Sequence, residues 1–250
     1  MSLAKADFTT RLLLDAGIGP GMRVLDVGCG HGDVSVLLAS LVDGDGAVVG
    51  IDQSDAALTV ARQRELPKGA ARPEFMLADL HALPRSLGLF DAVVGRRVLM
   101  YQADAVGAVR ALARHLLPGG VMVFQEHDTT LAPASLEPFP VHRKATRWLQ
   151  RMLAKEGADL HMGFNLYRTM SQAGLLVEDV RAECLVQTPD NDTGLASIIR
   201  ACLPRIVALG VATARQVGID TLQARLEAER KQSQGIYIGD LAFACRARKP

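Results

Sequence analysis

The stretch Val24-Leu-Asp-Val-Gly-Cys-Gly-His-Gly32 constrains this chain more than any other part of it. An apolar run carrying one acid ends in glycines at 28, 30 and 32, and a second apolar run, Val34 to Leu41, follows at once. This order reads as a buried strand, a tight turn and the start of a helix. Glycine lets the backbone turn sharply and approach a ligand closely, and the amides at a helix start face an anionic or polar group. A nucleotide-type ligand site is the expectation.

The glycine spacing narrows the choice of nucleotide. A dinucleotide fingerprint, G-x-G-x-x-G, sets a third glycine where helix packs on strand. After Gly28 and Gly30 that place is held by Asp33, and the pattern is instead Asp26-x-Gly28-x-Gly30-x-Gly32. A carboxylate just before the first glycine suits an ammonium group, which a pyrophosphate ligand lacks. The pattern resembles motif I of the class I S-adenosylmethionine-dependent methyltransferases.

The wider chain reads as α/β. A leading amphipathic helix over 7–16 carries Phe8, Leu12 and Leu13 on one side. Short apolar strands are expected at Arg23–Val27, Ala47–Ile51, Glu74–Ala78, Phe90–Gly95 and Val121–Gln125, with helices at 33–41, from Ser54 or Asp55 to about Glu65, and at 103–116. Strands of this kind alternating with helices indicate a mostly parallel sheet covered on both faces, and right-handed crossovers make it doubly wound. Beyond strand five, 129–140 reads as loop, 141–154 and 167–173 as helices, 175–186 as a strand, the next fifty or so residues as helical, and 236–247 as a closing strand.

Over roughly the first 128 residues and the terminal strands the chain is similar to small-molecule class I methyltransferases of the group that includes the quinone-biosynthesis enzymes. The resemblance implies a seven-stranded sheet with the last strand antiparallel, and S-adenosylmethionine as cofactor with S-adenosylhomocysteine as product. It implies that Asp26, Gly28, Cys29 and Gly30 receive the cofactor. Asp52, ending Val48-Val-Gly-Ile51, would take both ribose hydroxyls, with Gln53 beside the ribose or adenine; an acid here is shared with dinucleotide enzymes. Asp79, ending Phe75-Met-Leu-Ala78, would accept from the adenine amino group, with the Leu80 amide on a ring nitrogen. Arg96 would stand beside the methionine half through its backbone.

Residues 187–235 separate the two strands that form a plain hairpin in the family. The expected organisation is one domain over 1–250, with a cofactor core at about 20–128, 165–186 and 236–250. Helical insertions at about 129–164 and 187–235 would form a cap or lid.

Catalysis needs a nucleophile placed in line with the methyl group, and some acceptors need a base. Glu126, His127 and Asp128 stand past strand five, and His127 is the candidate base; a loop-capping role for the trio is the alternative. His161, Asn165 and Tyr167 make a second candidate wall. Arg143, Arg147 and Arg151 share one helical face, which reads as a solvated face, or as a contact with an acidic substrate or a membrane surface.

Charge and composition exclude several classes. A formal charge of +1 over 250 residues argues against a nucleic-acid substrate, and the sequence after strand four lacks the N-P-P-Y-like tetrad of base methylation. Four scattered cysteines give no zinc spacing, so no metal is expected. Hydrophobic residues make up 49%, yet no stretch of about 18 apolar residues occurs and no secretory leader is visible, so a cytoplasmic protein is expected. A small-molecule acceptor is the expected partner, and a homodimer contact through the helix at 221–234 is one alternative to the lid. The competing functions are a non-catalytic S-adenosylmethionine-binding module and a nicotinamide-dependent oxidoreductase.

Overall fold

The strands of this chain are short apolar runs that bury both faces, so each must be covered by helices on either side. In β1 (Arg23–Val27) every residue after the first is buried, and β2 (Ala47–Asp52) is buried between its two ends. A computed structural model describes residues 7–131 and 134–250. Residues 132 and 133, within the loop expected at 129–140, lie outside them, as do residues 1–6, on which the reading of no leader partly rests.

Helix α1 (Phe8–Asp15) is capped by Asp7, whose side chain accepts the Thr10 amide. The β1 strand leads to α2 (Asp33–Val42), and β2 leads to α3 (Asp55–Arg62), which Ser54 caps through the Ala57 amide. Then follow β3 (Glu74–Leu77), β4 (Phe90–Arg96), α4 (Ala105–Ala113) and β5 (Leu116–Asp128). Beyond lie α5 (Pro140–Lys155), α6 (Met162–Gln172), β6 (Leu176–Gln187), α7 (Leu195–Ala208), α8 (Ala214–Val217), α9 (Ile219–Ser233) and β7 (Tyr237–Arg248).

The seven strands are ordered β3-β2-β1-β4-β5-β7-β6. The pairs β1/β2, β1/β4, β2/β3 and β4/β5 are parallel. The end of β7 runs back along the start of β5, with Gly119 donating to the Lys249 carbonyl and Lys249 to that of Gly120, so the last strand is antiparallel. This is the doubly wound, mostly parallel sheet expected from the sequence.

Three boundaries stand out against the sequence reading. The segment Leu117-Pro-Gly-Gly120, between the helix expected to 116 and the strand expected from Val121, is an irregular stretch within β5, where the pairing with β4 slips between Phe90 and Ala92. The same strand runs on to Asp128, so Glu126, His127 and Asp128 lie on a strand and not on a loop; all three are buried. Helix α6 starts at Met162, five residues before the expected Tyr167.

The described residues gather in two compact units. Of the described residues, one comprises 7–126, Phe164–Arg181 and Phe243–Pro250, the other 127–131, 134–163 and Ala182–Ala242. In the first, Leu13, Leu25, Leu38, Ile51, Leu58, Phe90, Leu112 and Phe124 are fully buried and form the core. In the second, α5 packs on both α7 and α9, so the two insertions meet in one helical unit. Its interior holds Phe139, Ala145, Trp148, Ile199, Ile206, Leu222, Leu226 and Tyr237.

Candidate active site

The candidate site starts where β1 ends. Gly28 has φ of 60°, and a Cβ built on it would lie 2.7 Å from Cγ2 of Val98, so both conformation and space call for glycine there. Gly30 has φ of 54° and opens onto empty space. Side chains would block a ligand at such a position, and glycine leaves the backbone reachable. The loop is tied to the next strand by two bonds: the Cys29 amide donates to the Ile51 carbonyl at 2.9 Å, and the Gly30 amide to Oδ2 of Asp52 at 2.8 Å.

A cleft of about 180 Å³ lies at this end of the strands, lined by Asp26, Gly28, Cys29, Gly30, His31, Asp33, Val34, Arg96 and Arg97. Five of the expected residues, Asp26, Gly28, Cys29, Gly30 and Arg96, therefore meet in one place. Asp26 is 1% exposed and accepts the Ser35 hydroxyl at 2.5 Å. Burial pushes its carboxyl up to about 7, against the opposing pull of Ser35 and of the Arg96 charge. A cation seated against Asp26 would favour the ionised form. Burial, with Asp26 and Asp52 nearby, pushes the Cys29 thiol up, which makes it inert. The Arg96 guanidinium lies 3.9 Å from Asp33, so the side chain as well as the backbone belongs to the cleft.

Asp52 uses each carboxylate oxygen once: Oδ1 takes the Ser54 amide at 2.8 Å and Oδ2 the Gly30 amide. Each oxygen keeps further acceptor capacity for a vicinal diol. Gln53 is exposed beside it. Asp79, also exposed, takes the His81 amide at 2.9 Å and so shapes the turn after β3, while Leu80 is buried. Neither lies among the residues lining the cleft.

The end of β5 gives its three neighbours three different tasks. Oε1 of Glu126 accepts the Val98 and Leu99 amides at 2.8 and 2.7 Å, which holds the chain where it leaves β4. Burial pushes that carboxyl up to about 7. Nδ1 of His127 meets Oδ2 of Asp240 at 2.5 Å. Oδ1 of Asp128 takes the Thr130 and Leu131 amides, so of the trio Asp128 alone caps the turn beyond the strand.

The second candidate wall divides. His161, in the helical unit, is 3.1 Å from the Thr130 hydroxyl and 3.4 Å from Asp128. Asn165 and Tyr167 stand on α6 in the other unit, where Asn165 accepts from Arg168 and Tyr167 is exposed.

Sequence reasoning did not single out His31, Ser35, Arg97 or Asp240. His31 sits inside the glycine run and was legible from position alone. Ser35 falls one helical turn after Gly32, and Arg97 follows Arg96. Asp240 is 113 residues from His127, and only the strand order brings it there. A larger cleft of about 570 Å³, lined by Arg85, Leu89, Arg114 and His115 among others, lies at the opposite ends of β4 and β5, away from the carboxyl edge where open α/β sheets bind ligands. Among the described residues no His, Cys, Asp and Glu group is placed to hold a metal ion.

The chain matches the family model described as methyltransferase domain over residues 18–174. It is 31% identical over 195 residues to the ubiquinone/menaquinone biosynthesis C-methyltransferase UbiE of Ectopseudomonas mendocina, an alignment covering 76% of this chain and 68% of that one. The chain spans about half the length of other curated relatives it matches. Among solved structures, Haemonchus contortus phosphoethanolamine N-methyltransferase 2, in complex with phosphomonomethylethanolamine and S-adenosylhomocysteine, superposes with a TM-score of 0.58 at 20% identity, over 97% of this chain and 52% of that one. A Bacillus halodurans structure, described as a candidate methyltransferase, gives 0.61 at 15% identity, over 98% and 100%. At these identities the two structures speak for the fold alone.

Proposed function

The chain belongs to the S-adenosylmethionine-dependent methyltransferases, and on that premise we propose that it methylates an oxygen, nitrogen or carbon nucleophile of a small molecule, with His127 as the base. The observation that carries this reading is the contact between buried His127, at the end of β5, and the part-exposed Asp240, 2.5 Å apart.

The residues present fit the cofactor. Gly30 opens onto empty space, Asp26 offers a carboxylate to an ammonium group, and Asp52 offers two oxygens to a diol. In this reading Asp26, Gly28, Cys29, Gly30 and Arg96 hold the methionine half, Asp52 and Gln53 the ribose, and Asp79 and Leu80 the adenine. The bound cofactor supplies a methyl group made electrophilic by its sulfonium.

The remaining work falls to the protein. With Asp240 as a carboxylate, Nδ1 of His127 donates to it and the ring is held in one orientation. In this reading the His127 imidazole takes the acceptor's proton, and the Asp240 carboxylate stabilises the imidazolium that forms. The UbiE relative is named as a C-methyltransferase. That favours an acceptor whose carbon becomes nucleophilic when an adjacent hydroxyl is deprotonated, which is a task for a base.

The test is transfer of labelled methyl to a panel of phenols, amines and activated carbon acids. His127→Ala should lower turnover by roughly 100-fold or more with donor affinity kept. Asp240→Asn should lower it less. Full activity of His127→Ala on the true acceptor would remove the base from the mechanism. Donor binding with no transfer to any acceptor would favour the non-catalytic binding module.

A further inference from the structure

Helix α5 carries five cations, Arg143, Lys144, Arg147, Arg151 and Lys155, and no carboxylate in its sixteen residues, within a chain whose formal charge is only +1. Its apolar side is already used: Ala145, Trp148, Met152 and Leu153 are buried in the helical unit. Arg143, Arg147 and Arg151, four residues apart, are exposed on the other side. Among the described residues these three make no ion pair and no side-chain hydrogen bond, while Lys144 lies over the Trp148 ring at 5.6 Å and Lys155 bonds the Leu209 carbonyl. A row of like charges left uncompensated repels itself, so it is a cost unless something anionic comes to it.

Beside this row stands an exposed apolar ribbon. Ala134 and Ile238 exchange both backbone hydrogen bonds, at 3.0 and 2.9 Å, which lays the segment before α5 along the start of β7. Tyr237 anchors the ribbon: its ring packs on Phe139 and His142, and its hydroxyl meets Thr146 of α5 at 3.1 Å. Arg143 and Arg147 are close enough to act on that hydroxyl electrostatically. With Tyr237 turned inward, its neighbour Ile236 is turned outward and is 57% exposed; Leu136, on the facing segment, is fully exposed. Leu131 is exposed as well, and Glu137 is the acid on this ribbon.

We propose that this face, Arg143, Arg147 and Arg151 with Leu136 and Ile236, docks on a membrane surface rich in anionic lipid. Exposed aliphatic side chains next to a basic row match the two contributions that hold a protein on such a surface: burial of apolar area at the headgroup level and attraction to lipid phosphates. A globular acidic partner would need a concave complement to Leu136, whereas a bilayer accepts a protruding side chain of any outline. No helix among the described residues is long and apolar enough to cross a membrane, so the contact is peripheral.

The experiment is co-sedimentation of the full chain with phosphatidylcholine vesicles, with and without roughly a third of phosphatidylglycerol. Wild type should bind the mixed vesicles roughly tenfold or more tightly than the neutral ones, and high salt should release it. The triple variant Arg143→Glu, Arg147→Glu, Arg151→Glu should lose that preference, and Leu136→Asp with Ile236→Asp should weaken binding with the salt dependence kept. Circular dichroism and binding of S-adenosylhomocysteine, which uses none of these residues, check that the variants fold. Equal partition of wild type to both vesicles, or binding indifferent to both sets of substitutions, would overturn the proposal. So would an acidic peptide that competes fully at equal charge concentration, since that marks a site for charge alone.

Discussion

Oδ2 of Asp52 accepts the Gly30 amide at 2.8 Å, so the acid that ends β2 also fixes the glycine loop that follows β1. One carboxylate thereby governs both a cofactor contact and the shape of the turn. Asp52→Ala removes a charge-assisted bond worth about 1.5–3 kcal/mol together with the diol acceptor. Calorimetric titration with S-adenosylhomocysteine should show roughly 10- to 100-fold weaker binding, and Asp52→Asn should fall between. Affinity within about threefold of wild type would break the link.

Asp26 has its carboxyl raised from 3.8 to about 7 by burial. Between these two values the unfolded chain has released this proton and the folded chain has kept it. Stability therefore falls as pH rises through that window and levels off above it. Asp26→Asn removes the effect, so urea denaturation should find the variant's stability relative to wild type rising from pH 4 to pH 8. Donor affinity should move the opposite way and be lost in the variant. In wild type, affinity should improve as pH rises past about 7, because the ammonium group needs the ionised form. A pH-independent stability difference between the two proteins would refute the assignment.

Glu126 separates acceptor from charge. Glu126→Gln retains an oxygen for the Val98 and Leu99 amides, and Glu126→Ala leaves both without one. The alanine variant should lose about 2–4 kcal/mol in chemical denaturation. The glutamine variant should gain on wild type as pH rises through the window from 4.5 to about 7, since burial of the ionising group is relieved. Equal stability of the two variants would show that the amides find another partner.

Gly28 is limited by both backbone and neighbour, with φ of 60° and Val98 2.7 Å from a built Cβ. Gly28→Ala should cost about 2–4 kcal/mol. Adding Val98→Ala should recover the part due to crowding and leave the part due to the backbone. Thermal or urea denaturation of the single and double variants separates the two.

What was legible follows from the range of the interactions involved. The strands and helices from Arg23 to Arg62 are set by local periodicity, caps such as Ser54 and the glycine turn, all of which a sequence displays. The end of β5 was not legible. Glu126, His127 and Asp128 are ionisable, and burying them needs partners from residues 98–99, from Asp240 and from the turn beyond, which no local pattern announces. Helix α6 was read five residues short because Gly163, a poor helix former, stands in its first turn. The meeting of the two insertions through α5, α7 and α9 is a matter of topology, visible only in three dimensions.

The unit that holds the glycine loop takes Phe243–Pro250 from β7, while the helical unit claims the stretch just before it. Neither unit is a continuous piece of chain. On the ribosome, the nascent Rossmann-like half stays incomplete until the final strand emerges, long after its first five strands are made. Nicks or frameshifts near residue 240 should thus injure a ligand loop more than two hundred positions upstream, and neither half lends itself to transplantation by simple splicing.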